Sequence, residues 1–88
     1  MYVLKSKNDE LYTGYTDNLK RRFVEHNKGL NLSTKRQIPW KIIYYEAYLN
    51  KNDAKRREEY LKTTQGGRML KIRLRDYWYN KRSKDLTN

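Results

Sequence analysis

Two short runs of strand-forming residues, with a turn between them, open this chain. Tyr2–Leu4 and Leu11–Thr13 are rich in aromatic and branched side chains, and Lys7–Glu10 between them has the polar composition of a turn. Together they predict a β-hairpin over residues 2–15. An isolated hairpin is marginally stable, and a chain of 88 residues builds one small core, so the remaining elements must cover the hairpin.

The pairing register of the two strands decides which side chains share a face of the hairpin. Successive strand side chains point to opposite faces, so Tyr2 and Tyr12 share a face if Tyr2 pairs near Gly14. A slip of one residue puts the two tyrosines on opposite faces. A site that uses both hydroxyl groups therefore requires the first register.

A helix and a third strand are predicted next. The helix covers about residues 18–27, with Thr16 or Asp17 as its N-cap and Gly29 as its C-terminal stop. After a polar loop, residues 41–48 are dense in β-formers and mostly apolar. That composition predicts a strand that is central or covered on both faces.

Two further helices complete the predicted fold. The first is ended by the glycine pair Gly66–Gly67, and the second continues to about Tyr79. The predicted fold class is α+β, a small three-stranded antiparallel sheet flanked by helices in the order β-β-α-β-α-α. Residues 1–79 are predicted to form one domain, and residues 80–88 a polar, disordered tail.

Positive charge dominates the composition. Lys and Arg number 21 against 10 Asp and Glu, which gives a formal net charge of +11 at pH 7. This excess predicts a polyanionic partner, nucleic acid first, with a solubilising surface or an acidic membrane face as the alternatives. Aromatic residues make up 14% of the chain, and their rings offer flat surfaces for bases, although tyrosine is also a good strand former.

The composition also excludes several classes of site. The chain has no cysteine and one histidine, which rules out disulfides, thiolate metal sites and zinc sites built from several histidines. No apolar run approaches the ~20 residues of a membrane span, and the first residues lack the pattern of a signal peptide. We therefore expect a soluble, cytoplasmic protein without a membrane partner or an organic cofactor.

The first predicted helix carries two candidate site residues. Arg22 and His26 flank its apolar stripe of Leu19 and Phe23, whereas Arg21 points away from that stripe. Arg22 either snorkels over the core or is held by packing so that its planar guanidinium grips a phosphate. His26, one turn further on, has a structural role or serves to relay a proton or orient a phosphate.

The second predicted helix places a carboxylate toward the core. Glu58 falls on the same face as Ala54, whereas Glu59 looks outward. An inward carboxylate is costly unless something pairs with it. The candidates are a salt bridge to Arg22 or Lys62 and a hard divalent cation that keeps several waters.

Taken together, these residues resemble the GIY-YIG nuclease superfamily, in particular its small stand-alone bacterial members. Tyr2-Val3-Leu4 stands where the first motif ends, and Tyr12-Thr13-Gly14 stands for the second motif, with Thr at the Ile position. The family continues with an Arg, a His or Tyr one turn later and a helix pattern Ala-x-x-x-Glu-x-x-Leu-Lys. The matching positions in this chain are Arg22, His26, Ala54, Glu58, Leu61 and Lys62.

The chain departs from the family pattern at two points. The Gly of the first motif would precede residue 1, and Met1 takes its Ile position. The Asn that many members carry after the metal-binding Glu is Leu70 here, with Gln65, Arg68 and Lys71 as the polar neighbours that could substitute. We expect this second departure to affect the catalytic rate more than the fold.

The resemblance implies metal-dependent hydrolysis of DNA phosphodiester bonds, in which water attacks in line and the 3′ oxygen leaves. It implies one Mg²⁺ or Mn²⁺ ion held by Glu58, with Arg22 stabilising the charge of the transition state. Tyr2 is favoured as the base and Tyr12 as a positioning group, although the sequence does not separate their roles. The implied catalytic residues are Tyr2, Tyr12, Arg22, His26 and Glu58.

The chain shows no separate DNA-binding domain, so we expect selectivity for flaps, branches or nicks, or a protein partner, in DNA repair or recombination. The alternative is a non-catalytic nucleic-acid-binding module on the same scaffold, which has no need for an inward Glu58. Basic residues interleaved with aromatics near the C-terminus favour single-stranded or flapped DNA. The predicted nucleic-acid contacts are Arg21, Lys35, Arg36, Lys62, Arg68, Lys71, Arg75 and Trp78.

Overall fold

The computed structural model describes the backbone of residues 1–87 and the side chains of residues 1–81. Its elements are the strands β1 (Tyr2–Ser6), β2 (Leu11–Gly14) and β3 (Trp40–Tyr45) and the helices α1 (Leu19–Asn27), α2 (Lys51–Leu61), α3 (Thr64–Arg73) and α4 (Arg75–Thr87), with a 3-10 turn at Lys35–Gln37 before β3. The strands form one antiparallel sheet. The predicted fold class, α+β with the order β-β-α-β-α-α, is confirmed, with the last predicted helix divided into α3 and α4.

The sheet order is β2-β1-β3, so β1 is the central strand. The prediction that the third strand is central is wrong, because β1 pairs with both neighbours and is buried at every position, whereas only Trp40 is buried in β3.

Two of the buried residues of β1 are polar, and both find hydrogen-bond partners in the adjoining turn. The Lys5 Nζ lies 3.0 Å from Asp9 Oδ1, and the Ser6 Oγ accepts bonds from two backbone N–H groups of the turn.

The hydrophobic core lies between the sheet and α1. Tyr2, Leu4 and Trp40 form its buried centre, and Leu19 and Phe23 of α1 pack against them. The apolar stripe predicted for the first helix therefore faces the core. Because Tyr2 sits at the centre of this core, its position is fixed by packing as well as by strand pairing.

Both ends of α1 are set by local signals. The N-cap is Asn18, whose side chain accepts a hydrogen bond from the Arg21 backbone N–H at 3.1 Å, so the predicted caps Thr16 and Asp17 lie too early in the chain. At the other end Gly29 has φ +77°, a left-handed conformation that glycine adopts without strain. The predicted stop at Gly29 is confirmed.

The chain divides into two compact units, residues 1–58 and the residues from Glu59 on. In the second unit Thr63 is the N-cap of α3 and accepts a hydrogen bond from the Gly66 backbone N–H at 3.0 Å. Gly66 and Gly67 therefore lie in the first turn of a helix, and the prediction that they end one is wrong. A break at Leu74 separates α3 from α4.

The predicted tail over residues 80–88 overlaps α4, whose backbone is helical to Thr87. The side chains of residues 82–88 lie outside the described residues, so disorder in this tail stays a prediction. Within the part of the chain that the structure describes, no helix combines the length and the apolar character needed to cross a membrane.

Candidate active site

The hairpin brings two tyrosines to one face of the sheet. Tyr2 pairs with Gly14 and Leu4 pairs with Tyr12, so the two tyrosines are diagonal neighbours in the first of the two registers considered above. Their ring centroids are 6.2 Å apart. Tyr2 is 1% exposed, and Tyr12 is half-buried. The register that a two-tyrosine site requires is confirmed.

Gly14 makes room for the Tyr2 ring. A Cβ atom at this position would lie 2.6 Å from the Tyr2 hydroxyl oxygen and 2.7 Å from its Cζ. Both distances are below van der Waals contact, so any side chain at position 14 would displace the ring. The glycine of the Tyr-Thr-Gly motif therefore serves close packing of the opposite tyrosine.

His26 lies beneath the tyrosines in a fully buried position, 0% exposed. Its Nε2 is 2.8 Å from the Tyr2 hydroxyl, and its Nδ1 is 2.8 Å from the Thr34 Oγ1. Burial lowers the pKa of His26, and the positive charge of Arg22 lowers it further. The imidazole is therefore neutral at neutral pH.

The neighbouring hydrogen bonds favour one tautomer of His26. The Thr34 Oγ1 donates to the Asn31 carbonyl oxygen at 3.4 Å, which leaves its oxygen free to accept the His26 Nδ1–H. The His26 Nε2 is then an acceptor, and the Tyr2 hydroxyl donates to it. In this arrangement the Tyr2 O–H is directed at the His26 Nε2.

The Arg22 side chain extends from α1 toward the two tyrosines of the hairpin. Its guanidinium interacts with the hydroxyls of Tyr2 and Tyr12, and its Nη1 lies 3.2 Å from the Glu25 Oε1. Its side chain is 29% exposed. A guanidinium carries five N–H donors in a fixed plane, so Arg22 is anchored on one side and open to solvent on the other.

The Tyr2 hydroxyl is a weak acid in this environment. Burial raises the pKa of Tyr2 to about 12, and the hydrogen bond from Arg22 offsets only part of this increase. The negative charge of Glu58 adds a smaller increase. A free phenolate at Tyr2 is therefore strongly disfavoured at neutral pH.

Glu58 lies on the inner face of α2, as predicted. It is half-buried, whereas its neighbour Glu59 is exposed. Its effect on the pKa of Tyr2 means that its carboxylate acts on the same hydroxyl as Arg22 does. Among the described residues there is no cluster of three or more acidic or histidine ligands, so an ion here would have fewer than three such ligands and would complete its coordination with water and substrate. Mg²⁺ binds in this way.

The family model described as the GIY-YIG catalytic domain matches residues 1–71. The chain belongs to the GIY-YIG family. This is a family of nuclease domains, and membership implies that the substrate is DNA.

Relatives of this GIY-YIG chain come from several bacteria. A UPF0213 protein of Clostridium perfringens is 38% identical over 73 residues, which span 82% of this chain and 78% of that protein. A UPF0213 protein of Staphylococcus haemolyticus is 38% identical over 73 residues, with coverages of 82% and 89%. One of Streptococcus agalactiae is 43% identical over 63 residues, with coverages of 70% and 72%. No solved structure matches the chain.

Sequence reasoning missed Glu46, which anchors the helix that carries Glu58. Its carboxylate accepts hydrogen bonds from the Tyr44 hydroxyl at 2.6 Å, the Tyr48 hydroxyl at 2.7 Å and the Arg57 Nε at 2.9 Å. Burial alone would raise the pKa of Glu46, but these three bonds lower it to about 2. The available signal was the spacing of two residues that separates Glu46 from each tyrosine.

Sequence reasoning also missed Thr34 and Asn27, which fix the loop over His26. The Trp40 Nε1 donates to the Thr34 carbonyl oxygen at 2.9 Å, and the Trp40 backbone N–H donates to the Asn27 Oδ1 at 2.7 Å. Thr34 is 0% exposed although it lies in a polar loop. No local pattern in the sequence marks it.

The predicted DNA contacts belong to both units, and seven of the eight are exposed. In the first unit Arg21, Lys35 and Arg36 are exposed, and Arg21 lies 3.5 Å from the Asp17 carboxylate. In the second unit four predicted contacts are exposed on α3, on α4 and after α2. These four are Lys62, Arg68, Lys71 and Arg75.

An open cavity of about 630 Å³ at the junction of α3 and α4 brings Arg68 and Arg75 together. Arg73, which was not predicted, lines the same cavity. Trp78 is half-buried, its ring centroid lies 5.1 Å from that of Tyr77, and its buried Nε1 has no hydrogen-bond partner among the residues whose side chains are described. The Trp78 ring is therefore a packed side chain rather than a freely exposed surface for stacking.

Leu70, which stands at the position of the family Asn, is a buried residue of α3. It is 3% exposed, so the apolar side chain contributes to packing in the second unit. Of the polar neighbours considered as substitutes, Gln65 and Arg68 line the α3–α4 cavity. Lys71 is exposed on α3.

Proposed function

We propose that the protein is a metal-dependent endonuclease that hydrolyses DNA phosphodiester bonds. One observation carries the proposal. The Tyr2 hydroxyl lies 2.8 Å from the His26 Nε2, and both the guanidinium of Arg22 and the negative charge of Glu58 act on that hydroxyl. Positive, proton-transferring and metal-binding groups are the set that phosphodiester hydrolysis needs.

Glu58 is the residue that would hold the ion, Mg²⁺ or Mn²⁺. A half-buried carboxylate beside hydroxyl groups offers hard oxygen ligands, which suit either ion. When bound, the ion would neutralise charge on the phosphate and on the leaving oxygen. Glu46 supports this role indirectly, because its bond to Arg57 fixes the turn of α2 that carries Glu58.

Tyr2 and His26 would move the proton of the attacking water. With its pKa near 12, the Tyr2 hydroxyl can take this proton only while it passes its own proton to the His26 Nε2, 2.8 Å away. The neutral state of the imidazole leaves Nε2 ready to accept it. Tyr12, which is less buried than Tyr2, would position the water or the phosphate.

Arg22 would stabilise the transition state. Its guanidinium is held by Glu25 and by the two tyrosines, so it need not reorganise when charge develops on the phosphate. A bidentate contact to two phosphate oxygens uses the planar fork that a lysine lacks.

The proposed function includes the kind of DNA that is cleaved and the process in which it is cleaved. With a net charge of +11, the protein would bind DNA through the phosphate backbone and select structure, such as flaps, branches or nicks. A protein partner would add further selectivity. We place this activity in cytoplasmic DNA repair or recombination.

Cleavage of supercoiled plasmid and of labelled flapped DNA tests the proposal. We expect cleavage with Mg²⁺ or Mn²⁺ and none in EDTA. Under single-turnover conditions Arg22→Ala should slow cleavage by about 10²- to 10³-fold, as removal of a transition-state donor does. Arg56→Ala is the matched control, because this arginine is 74% exposed and lies beside Asp53, and it should cleave at the wild-type rate.

The opposite outcome is equally clear. Salt-sensitive DNA binding without cleavage of any substrate in either metal would overturn the proposal. The non-catalytic binding module would then be the better description.

A further inference from the structure

An open groove of about 460 Å³ adjoins the candidate active site within the first unit. It lies where the connection from β2 to α1 faces the connection from β3 to α2. Besides Tyr2, three tyrosines line it, namely Tyr15, Tyr45 and Tyr48. None of the three belongs to the family motifs or to the proposed reaction.

The groove lies next to the proposed catalytic residues. Tyr45 pairs directly with Tyr2 across the sheet, so their side chains are on the same face and their Cβ atoms are about 5 Å apart. Leu19 and Ala54 also line the groove. They precede Arg22 and Glu58 by one helical turn on the same faces, a rise of about 5 Å to 6 Å.

Two of these tyrosines are exposed, and one of the two is held in place by a hydrogen bond. Tyr45 is 63% exposed and Tyr48 is 41% exposed. The Tyr48 hydroxyl is tied to the Glu46 carboxylate at 2.7 Å, which presents its ring at a low entropic cost. Such fixed aromatic faces stack on nucleobases of any sequence.

The charges around the groove favour an anionic ligand. Lys51 lines it, and the Lys55 Nζ lies 5.9 Å from the centre of the Tyr15 ring. The two acidic residues of the lining are both paired, since Asp17 lies 3.5 Å from the Arg21 guanidinium and Glu46 lies 2.9 Å from the Arg57 Nε. Lysines beside aromatic faces match a phosphate backbone that carries bases.

We propose that this groove binds an unpaired nucleobase next to the phosphate that Arg22 holds. The inference rests on the proposed nuclease function and deepens it, because it makes a single-stranded or flapped strand the substrate. A base in a duplex is stacked and paired, and it would have to leave the helix to reach these rings. The strand would enter with its base between the tyrosines and its phosphate at Arg22.

Binding without cleavage tests this inference. In EDTA, fluorescence anisotropy compares a single-stranded oligonucleotide of about 12 nucleotides, within the range of single-strand binding sites, with an abasic strand of equal length. Wild type should bind the strand with bases at least about fivefold more tightly. Tyr45→Leu, which keeps bulk but removes the ring, should lose most of that preference, and Tyr45→Trp should keep it.

The controls separate the groove from general effects. Leu32→Ala changes a residue that is 81% exposed and lies outside the groove lining, so it should keep the wild-type preference. Thermal unfolding of the Tyr45 variants checks that they are folded, and Tyr48→Leu provides a second ring removal. Equal binding of both strands by wild type, or an unchanged preference in both leucine variants, would overturn the inference and leave the groove to another ligand.

The two failures are distinguishable. If base preference is absent but metal-dependent cleavage persists, the groove assignment alone is wrong. If base preference is present and no metal supports cleavage, the nuclease proposal is wrong and the groove belongs to a binding module.

Discussion

Replacement of Gly14 by alanine should destabilise the protein more than any exposed substitution of the same size. The new Cβ would stand 2.6 Å from the Tyr2 hydroxyl oxygen, 2.7 Å from its Cζ and 3.0 Å from the Tyr12 Cε1. The Tyr2 ring has little room to yield, because it is 1% exposed and hydrogen-bonded to His26. Overpacking of this kind costs about 1–3 kcal/mol, and a lost hydrogen bond adds about 1 kcal/mol.

Urea unfolding of Gly14→Ala should therefore show a loss of about 2–4 kcal/mol in the free energy of unfolding. Gly67→Ala is the matched control, because it lies within α3 and a Cβ there would meet no atom of another part of the described chain within 4 Å. We expect it to be neutral or to stabilise by up to about 1 kcal/mol. If Gly14→Ala unfolds within about 0.5 kcal/mol of wild type, the close packing of Tyr2 against Gly14 is not what holds the site together.

Three further predictions concern the groups around the site. Thr34→Val removes the partner of His26 Nδ1 and should cost about 1–3 kcal/mol; in wild type, ¹⁵N NMR of the imidazole should show Nδ1 protonated and Nε2 not, and the reverse would refute the assigned proton chain. The pKa of Glu46 is lowered from its ordinary 4.5 to about 2. The charged carboxylate therefore adds about 3 kcal/mol to the free energy of unfolding above pH 4.5, and this contribution is lost as pH falls toward 2. In urea unfolding, Glu46→Gln should show a weaker dependence of stability on pH over this range, and an unchanged dependence would contradict the prediction. Asn18→Ala removes the cap of α1 and should cost about 1 kcal/mol in the same assay, with no loss counting against the capping role.

Local signals in the sequence were sufficient for the hairpin and for α1. The turn and the alternation of faces left two registers, and the pairing of Tyr2 with Gly14 is the one that joins the tyrosines. The stop at Gly29 followed from the conformational freedom of glycine, which its positive φ uses. These features depend on neighbours in sequence, so a single chain is enough to infer them.

Other features depend on partners that are distant in sequence or on packing. The apolar run that became β3 has the composition of a central strand, but β1 took the centre because it pairs with both neighbours. Gly66 was interpreted as a helix end, yet a Cβ there would lie 1.9 Å from the Tyr60 carbonyl oxygen, so the residue serves close backbone approach. Thr34 meets His26 through a loop whose course no periodic pattern encodes.

The proposed nuclease activity is tested most directly at Glu58, the proposed metal ligand. The single-turnover rate of cleavage of flapped DNA in Mg²⁺ should be compared between Glu58→Ala and Glu59→Ala, which remove the same charge from an inner and an exposed position of α2. We predict that Glu58→Ala loses at least about a hundredfold in rate while it binds DNA as tightly as wild type, and that Glu59→Ala cleaves normally. Equal cleavage rates for the two variants would contradict the account.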